Sequence, residues 1–311
     1  MGFERIRVRA VVALLLSLLM TPNMPAQKKP KKLASDRTTD IQKARVNGTE
    51  LSYFDRGRGV PVVLIHGSGS DYRIWMSQIR PLAAKYRVIA YSRRYHTPNP
   101  WKGDGSDYSA ALHAADLAAL LQSLRLGPAH LVGHSYGGTV ALLVARDHPD
   151  LVRTVVAMEP GLPSLVTGEE GEAVRAAGER ALSAAKAAVA AGEDERAIQI
   201  LGDWVLQPRT YRQLSPPIKT MFLDNVRSLK VLLASPPPPT SFSCEDAKGL
   251  KAPLLLVEGE SSADYMVAAS RALHGCQPTA ERVAIPRATH NMQLDNSYAF
   301  NRAVLEFLAK H

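Results

Sequence analysis

The chain has 311 residues, 46% of them hydrophobic and 22% charged, with a formal net charge of +9. That length holds one large α/β domain with an insertion, or two small domains, and the composition is that of an ordinary globular protein. The charge does not describe a nucleic-acid groove. Residues 1–32 carry seven basic side chains against Glu4 alone, so +6 of the +9 lies there, and the rest shows no basic stripe with interleaved aromatics.

Arg5, Arg7 and Arg9 precede the apolar run AVVALLLSLLM (Ala10–Met20), and TPNMPA follows, ending in the small residue Ala26. A basic head, a short apolar run and a small-residue end describe a secretory signal peptide over residues 1–26, which implies export to a periplasm or medium. The run is too short for a comfortable permanent span. The alternative is an uncleaved membrane anchor, because Met24 is an unusual residue so close to a cleavage point. Residues 27–45 begin as a polar, solvated linker.

Next comes IQKARV-NG-TELSYFD, which alternates around Asn47-Gly48 and predicts a two-residue hairpin. PVVLIHG (Pro61–Gly67) is a short apolar run ending in glycine, the pattern of a strand buried on both faces. YRVIAYS (Tyr86–Ser92), AHLVGH (Ala129–His134), VRTVVAM (Val152–Met158), APLLLVEG (Ala252–Gly259) and ERVAIP (Glu281–Pro286) repeat that pattern. Helical stretches lie at Arg73–Ala84, Ser109–Leu124, Gly137–Asp147, Asp264–His274 and Ser297–Lys310. Strands alternating with helices predict an α/β fold with a mostly parallel central sheet and helices on both faces.

Residues 161–240 break the alternation, with no strand-like run and an alanine-rich, helix-forming composition. Three helices are expected there, the last a single one over PIKTMFLDNVRSLKVLLAS, closed by the stiff connector Pro236–Pro239. The stretch reads as a helical cap. It divides the core into 46–160 and 241–311.

Gly133-His134-Ser135-Tyr136-Gly137 falls where a strand gives way to a helix and fits G-x-S-x-G. Side chains at the flanking glycines would collide with neighbouring backbone in so tight a turn. The turn lifts Ser135 above the sheet edge and leaves amides at a helix N-terminus, where they can hold a developing negative charge. Ser135 is the candidate nucleophile.

A serine needs a base, and nine histidines are available. His66 shapes a loop, and the side chain of His134 points away from the serine. His96, His113, His130, His148, His274 and His311 lie in loops or on element faces. His290 follows the last strand in IPRATHNMQLDN, where a loop can return to the sheet's carboxyl edge, and is the candidate base. The orienting acid is open at this point. Glu159 ends one strand in MEPGLP, and the loop after APLLLVEG offers Glu258, Glu260 and Asp264. All lie between Ser135 and His290, as Ser…acid…His order requires. IHGSGSD supplies a second oxyanion amide, from Ser68, to join that of Tyr136.

On these segments, residues 46–311 resemble the α/β-hydrolase superfamily with a helical cap. VVLIHGSGSD, GHSYGG and ERVAIPRATHNMQLDNSYAFNRAVLEFL are similar to its oxyanion, nucleophile and histidine segments in order and spacing. YSRRYHTPNP departs from the usual D-x-R-G-x-G type loop at Tyr95-His96. Gly259-Glu260-Ser261-Ser262 departs from the usual G-x-x-D, with serine where aspartate is expected. A haloalkane-dehalogenase-like branch carries a glutamate after the preceding strand, so the resemblance implies Glu159 as the acid and Asp264 as the alternative. A serine nucleophile disfavours dehalogenation.

The expected function is a serine hydrolase cleaving a small to medium carboxylic ester, with no cofactor, no metal and only a small-molecule substrate as partner. Carbon–carbon bond hydrolase, perhydrolase and acyltransferase activities stay open, as does a non-enzymatic ligand-binding role. Trp75, Trp204, Met221 and Phe222 are candidates for pocket lining or for plain core packing. Cys244 and Cys276 would join in an oxidising compartment and remain two buried thiols in a reducing one.

Overall fold

The computed structural model of the chain describes residues 41–235 and 242–311. The expected signal peptide, the linker as far as residue 40 and the Pro236–Pro239 connector lie outside the described residues. Eight strands form one sheet in the order β1-β2-β4-β3-β5-β6-β7-β8. They are β1 Gln42–Val46, β2 Thr49–Gly57, β3 Pro61–Ile65, β4 Arg87–Tyr91, β5 Ala129–His134, β6 Val152–Met158, β7 Leu254–Gly259 and β8 Glu281–Ile285. β1 and β2 form the expected hairpin, with Val46 opposite Thr49. Its two turn residues have positive φ, 43° at Asn47 and 74° at Gly48, as a turn matched to strand twist requires. β1 thus begins inside the stretch assigned to the linker. β2 runs antiparallel to both β1 and β4, and the remaining five pairings are parallel.

Strand side chains alternate between faces, and the core divides accordingly. Val63, Ile65, Leu131, Val155 and Ala157 point to one apolar layer. Val62, Leu64, Val132, Val156 and Met158 point to the other. On the chain's helices, α1 is Met76–Ala83, α2 Ala110–Ser123 and α3 Tyr136–Asp147. The insertion supplies α4 Gly168–Ala190, α5 Asp194–Val205, α6 Pro216–Asp224 and α7 Val226–Ala234. Then come α8 Cys244–Lys248, α9 Asp264–Cys276, α10 Met292–Asp295 and α11 Ser297–Lys310. α2, α3 and α9 cover the first layer, and α1 and α11 cover the second. The short α8 and α10 had no signal in the apolar periodicity. Among the described residues, no helix is long and apolar enough to cross a membrane.

The insertion between β6 and β7 is helical, as expected, with one difference. The single helix expected after Pro216 is two, because the chain leaves helical geometry at Asn225. Asn225 is 2% exposed, and its side chain is committed elsewhere. Its amide donates to Asp71 Oδ2 at 2.7 Å and to the Met221 carbonyl at 2.8 Å, and its oxygen accepts from the Thr97 amide at 2.8 Å. A side chain that binds backbone and loop groups so completely competes with the helix ladder. Asn225 therefore trades a straight helix for an anchor on the core.

Cys244 of α8 and Cys276 of α9 form a disulfide, with their Cα atoms 5.2 Å apart. Of the four candidate lining residues, Trp75 and Met221 belong to the second apolar layer, Trp204 stacks on Tyr265, and only Phe222 approaches Gly69 in the loop after β3.

Candidate active site

Three strand ends and one loop build the site. At the end of β5, a Cβ on Gly133 would stand 2.3 Å from the Gly137 carbonyl, and one on Gly137 would stand 2.2 Å from that of Ile65. No side chain fits at either place, which accounts for both glycines. Between them Ser135 takes φ 53° and ψ −120°, a conformation that costs a non-glycine residue ~1–3 kcal/mol and recurs at functional sites. Its amide donates to the Met158 carbonyl at 2.8 Å. It occupies the N-cap of α3 without a side-chain capping bond. Tyr136 is the first residue of that helix, one of the four whose N–H has no intrahelical acceptor.

At the end of the neighbouring β6, Glu159 also has positive φ, 40°. Its carboxylate is 2% exposed and fully engaged. Oε1 accepts from the Gly259 amide at 2.8 Å, and Oε2 accepts from His290 Nδ1 at 2.6 Å. With Nδ1–H bound to a carboxylate, neutral His290 presents Nε2 as its basic nitrogen.

The loop carrying His290 is held from two sides. The Thr289 amide and hydroxyl donate to Asp295 Oδ2 at 2.8 and 2.6 Å. His134 Nε2 meets the His290 carbonyl at 2.9 Å. A carbonyl only accepts, so that nitrogen carries the proton. His134 stays neutral because burial, reinforced by the adjacent His290, pushes its pKa down to about 3. His134 thus braces the base's loop, its ring centred 4.6 Å from that of His290, a task the sequence reading missed.

The other acids are elsewhere. Asp264 is a correction to the alternative assignment: it opens α9 with its carboxylate 99% exposed, and its ion-pair partner is Arg271 at 3.8 Å. The first turn of a surface helix carries it into solvent. Glu258 pairs with Arg282, and Glu260 accepts from the Arg287 amide. Ser262, at the position where aspartate is usual, keeps a buried hydroxyl with no hydrogen-bond partner.

Ser68 lies in the loop after β3, beside the serine. A Cβ on Gly67 would stand 3.3 Å from Ser135 Cβ. His66 accepts the Arg93 amide proton on Nε2 at 2.9 Å, so its Nδ1 carries hydrogen and donates to the Gly67 carbonyl at 2.9 Å. Burial first, then the nearby Arg93, holds the pKa of His66, His96 and His113 well below the usual histidine value. At its far end the loop reaches Asp71, which caps the following turn, binds Arg73 and accepts from Asn225. Two residues of this neighbourhood, Arg93 and Asn225, were not singled out by the sequence pattern. Arg93 sits in the departing YSRRYHTPNP loop, and Asn225 follows Asp224 inside an otherwise apolar helical pattern. Among the described residues, no group of three or more His, Cys, Asp or Glu is arranged to hold a metal ion.

The comparisons agree with this architecture. A family model described as alpha/beta hydrolase fold matches residues 60–227. The dihydrolipoyllysine-residue acetyltransferase component of the acetoin cleaving system of Pseudomonas putida is 31% identical over 278 residues, covering 87% of this chain and 70% of that protein. The uncharacterized hydrolase YraK of Bacillus subtilis is 31% identical over 126 residues, and there the match spans 40% of this chain and 46% of the relative. Among solved structures, the carboxylesterase CesB of Bacillus subtilis superposes with a TM-score of 0.72 at 18% identity, covering 88% of this chain and 92% of that one. At that identity the likeness speaks for the fold alone.

Proposed function

Because the chain belongs to the alpha/beta hydrolase fold family, we propose that it is a serine hydrolase cleaving a small to medium carboxylic ester through an acyl-enzyme. The observation that carries this reading is the buried His290–Glu159 pair, joined at 2.6 Å, in a chain whose Ser135 stands in a strained strand-to-helix turn.

Ser135 Oγ attacks the ester carbonyl while His290 Nε2 takes its proton, and Glu159 stabilises the imidazolium that forms. The amides of Ser68 and Tyr136 hold the negative charge that gathers on the carbonyl oxygen. Collapse of the tetrahedral intermediate breaks the C–O bond, and His290 returns the proton to the leaving alkoxide. Water, deprotonated by His290, then releases the acid and restores the serine. No cofactor or metal enters this cycle.

Transfer of the acyl group to an alcohol or thiol instead of water is the second reading, favoured by the match to a protein named as an acetyltransferase component. We also propose export, with residues 1–26 removed as a signal peptide. The Cys244–Cys276 disulfide supports an oxidising destination. Mass spectrometry of the mature N-terminus checks this, and an anchored chain retaining Met1 overturns it.

A fluorophosphonate probe followed by a panel of esters of increasing acyl length tests the main reading. Labelling is expected at Ser135, and Ser135→Ala is expected to abolish labelling and hydrolysis while leaving the thermal transition nearly unchanged. Labelling elsewhere refutes the assignment of the nucleophile. Acyl transfer to an added alcohol faster than hydrolysis would favour the second reading.

A further inference from the structure

Two adjacent arginines in the loop after β4 have opposite surroundings. Arg94 meets Asp116 through two hydrogen bonds of 2.7 Å, an ordinary guanidinium–carboxylate pair. Arg93 is 1% exposed, and among the described residues no carboxylate pairs with it. Its Nε donates to the His66 carbonyl at 3.1 Å and its Nη2 to the Gly67 carbonyl at 2.9 Å. Nη2 also faces His96 Nε2 at 3.3 Å, and the guanidinium lies 4.8 Å from the centre of the Tyr136 ring. A buried cation without an anion is costly, and holding a loop does not require one. The Gly67 carbonyl already accepts from His66 Nδ1 and, at 3.2 Å, from the Ser70 hydroxyl.

The position of the charge suggests its use. The Gly67 carbonyl and the Ser68 N–H belong to one peptide unit, and in a trans peptide they point to opposite sides. A cation bound to the carbonyl draws electron density through the amide and leaves its hydrogen more positive. In chains of hydrogen bonds each member strengthens the next, and a low-dielectric interior preserves the effect. The same guanidinium packs against the side chain of Tyr136, whose amide is the other proposed donor.

We propose that Arg93 is a positioning residue that polarises the Gly67–Ser68 peptide, so that the Ser68 N–H meets the developing oxyanion as a strengthened donor. The inference rests on the serine-hydrolase reading of Ser68. It adds that the site's stabilising charge enters through a peptide bond, with no contact between the cation and the substrate.

The test compares Arg93→Lys, which keeps a charge, with Arg93→Gln and Arg93→Met, which do not. Each is read after its thermal transition shows a folded protein. With an aryl acetate, the neutral variants are expected to lose about 30-fold in kcat with KM within about threefold, because the interaction strengthens only in the transition state. An alkyl boronic acid, whose serine adduct is an anionic tetrahedron, should lose affinity in parallel. Arg93→Lys should recover at least about tenfold in kcat over Arg93→Gln, which separates charge from packing. Native kcat and boronate affinity in a folded neutral variant, or equal rates for Lys and Gln, overturn the proposal. So does a rise in KM alone.

A readout independent of turnover separates this inference from the hydrolase reading. The Ser68 amide proton is expected downfield by NMR in the native protein and shifted upfield in Arg93→Gln. No difference overturns the polarised peptide. A native protein that neither labels nor turns over, yet shows the shift, overturns the hydrolase reading instead.

Discussion

Strands β3, β5 and β6 lose nearly all their side-chain surface to helices on both faces, and Val63, Leu131, Val155 and Val156 are wholly buried. In the insertion, the 23-residue α4 buries only Gly171, Ala185 and Ala188. The seam among its helices consists of small alanines with Ile198, Tyr211, Leu229 and Leu233. The insertion meets the rest of the fold through a few apolar side chains, Leu162, Val166 and Met221, and through a set of polar contacts. Asn225 reaches Asp71 and Thr97, Arg209 pairs with Asp295 at 2.6 Å, Glu170 pairs with Arg271, and Tyr265 donates to the Trp204 carbonyl. Apolar burial is tolerant of detail, whereas a buried polar contact is lost entirely when one partner goes. The two regions should therefore fail differently.

The largest separation is expected at the sheet edge. Glu159→Gln keeps volume and hydrogen-bonding capacity but removes the charge that favours the imidazolium, and turnover should fall by at least ~100-fold. Asp264→Asn, at a solvent-facing carboxylate, should cost less than ~10-fold. Steady-state kinetics of the two variants decides the matter, and the reverse order would move the acid to the loop after β7.

A smaller effect, of another kind, is expected from the insertion. Asn225→Leu leaves the Thr97 amide without its acceptor and Asp71 without one donor, a defect of about 1–3 kcal/mol. Hydrolysis of a long-chain ester should fall by about tenfold and that of a small acetate by less than about threefold, because the polar anchor sets the insertion's place over the loop after β3. Equal losses on both substrates would make the insertion part of the chemistry itself.

The mildest perturbation near neutrality is acid. His66, His96, His113 and His134 are buried on the sheet side with lowered pKa values. The unfolded chain takes up protons below its ordinary histidine pKa of about 6.5, while the folded chain does not until far lower. Their contribution to stability is therefore complete above about pH 6.5 and is lost as pH falls from there toward the folded values. The thermal midpoint should be flat between pH 7 and 8 and drop by about 5 °C by pH 6. A midpoint unchanged at pH 5 would contradict neutral burial of these rings.

The sheet and the Ser135 turn were legible because each leaves a local mark: runs such as VVLI and VRTVVAM, and glycines at Gly133 and Gly137 where backbone approaches backbone. The resemblance pointed to Glu159, but residue types alone could not separate it from Asp264, since both are carboxylates in suitable order. What separates them is three-dimensional: a positive-φ turn aims one at His290, and a helix start aims the other into solvent. Asn225 was hidden because an apolar helical period runs on both sides of it, and only its partners Asp71 and Thr97, more than a hundred positions away in sequence, break the helix there. Arg93 and Arg94 are the same letter twice. Nothing in the sequence says which of them finds Asp116.

The disulfide between Cys244 and Cys276 makes part of the molecule's stability a property of its surroundings. The bond closes a loop 32 positions long that contains β7 and Gly259, whose amide holds the carboxylate of Glu159. By loop-entropy arguments a closure of that length contributes about 3–4 kcal/mol, by limiting the freedom of the unfolded chain. In an oxidising medium that contribution is present from the moment of bond formation. In a reducing host the same polypeptide must reach the same fold on its non-covalent contacts alone, so material from cytosol and from an oxidising compartment would be one sequence with two different margins against unfolding.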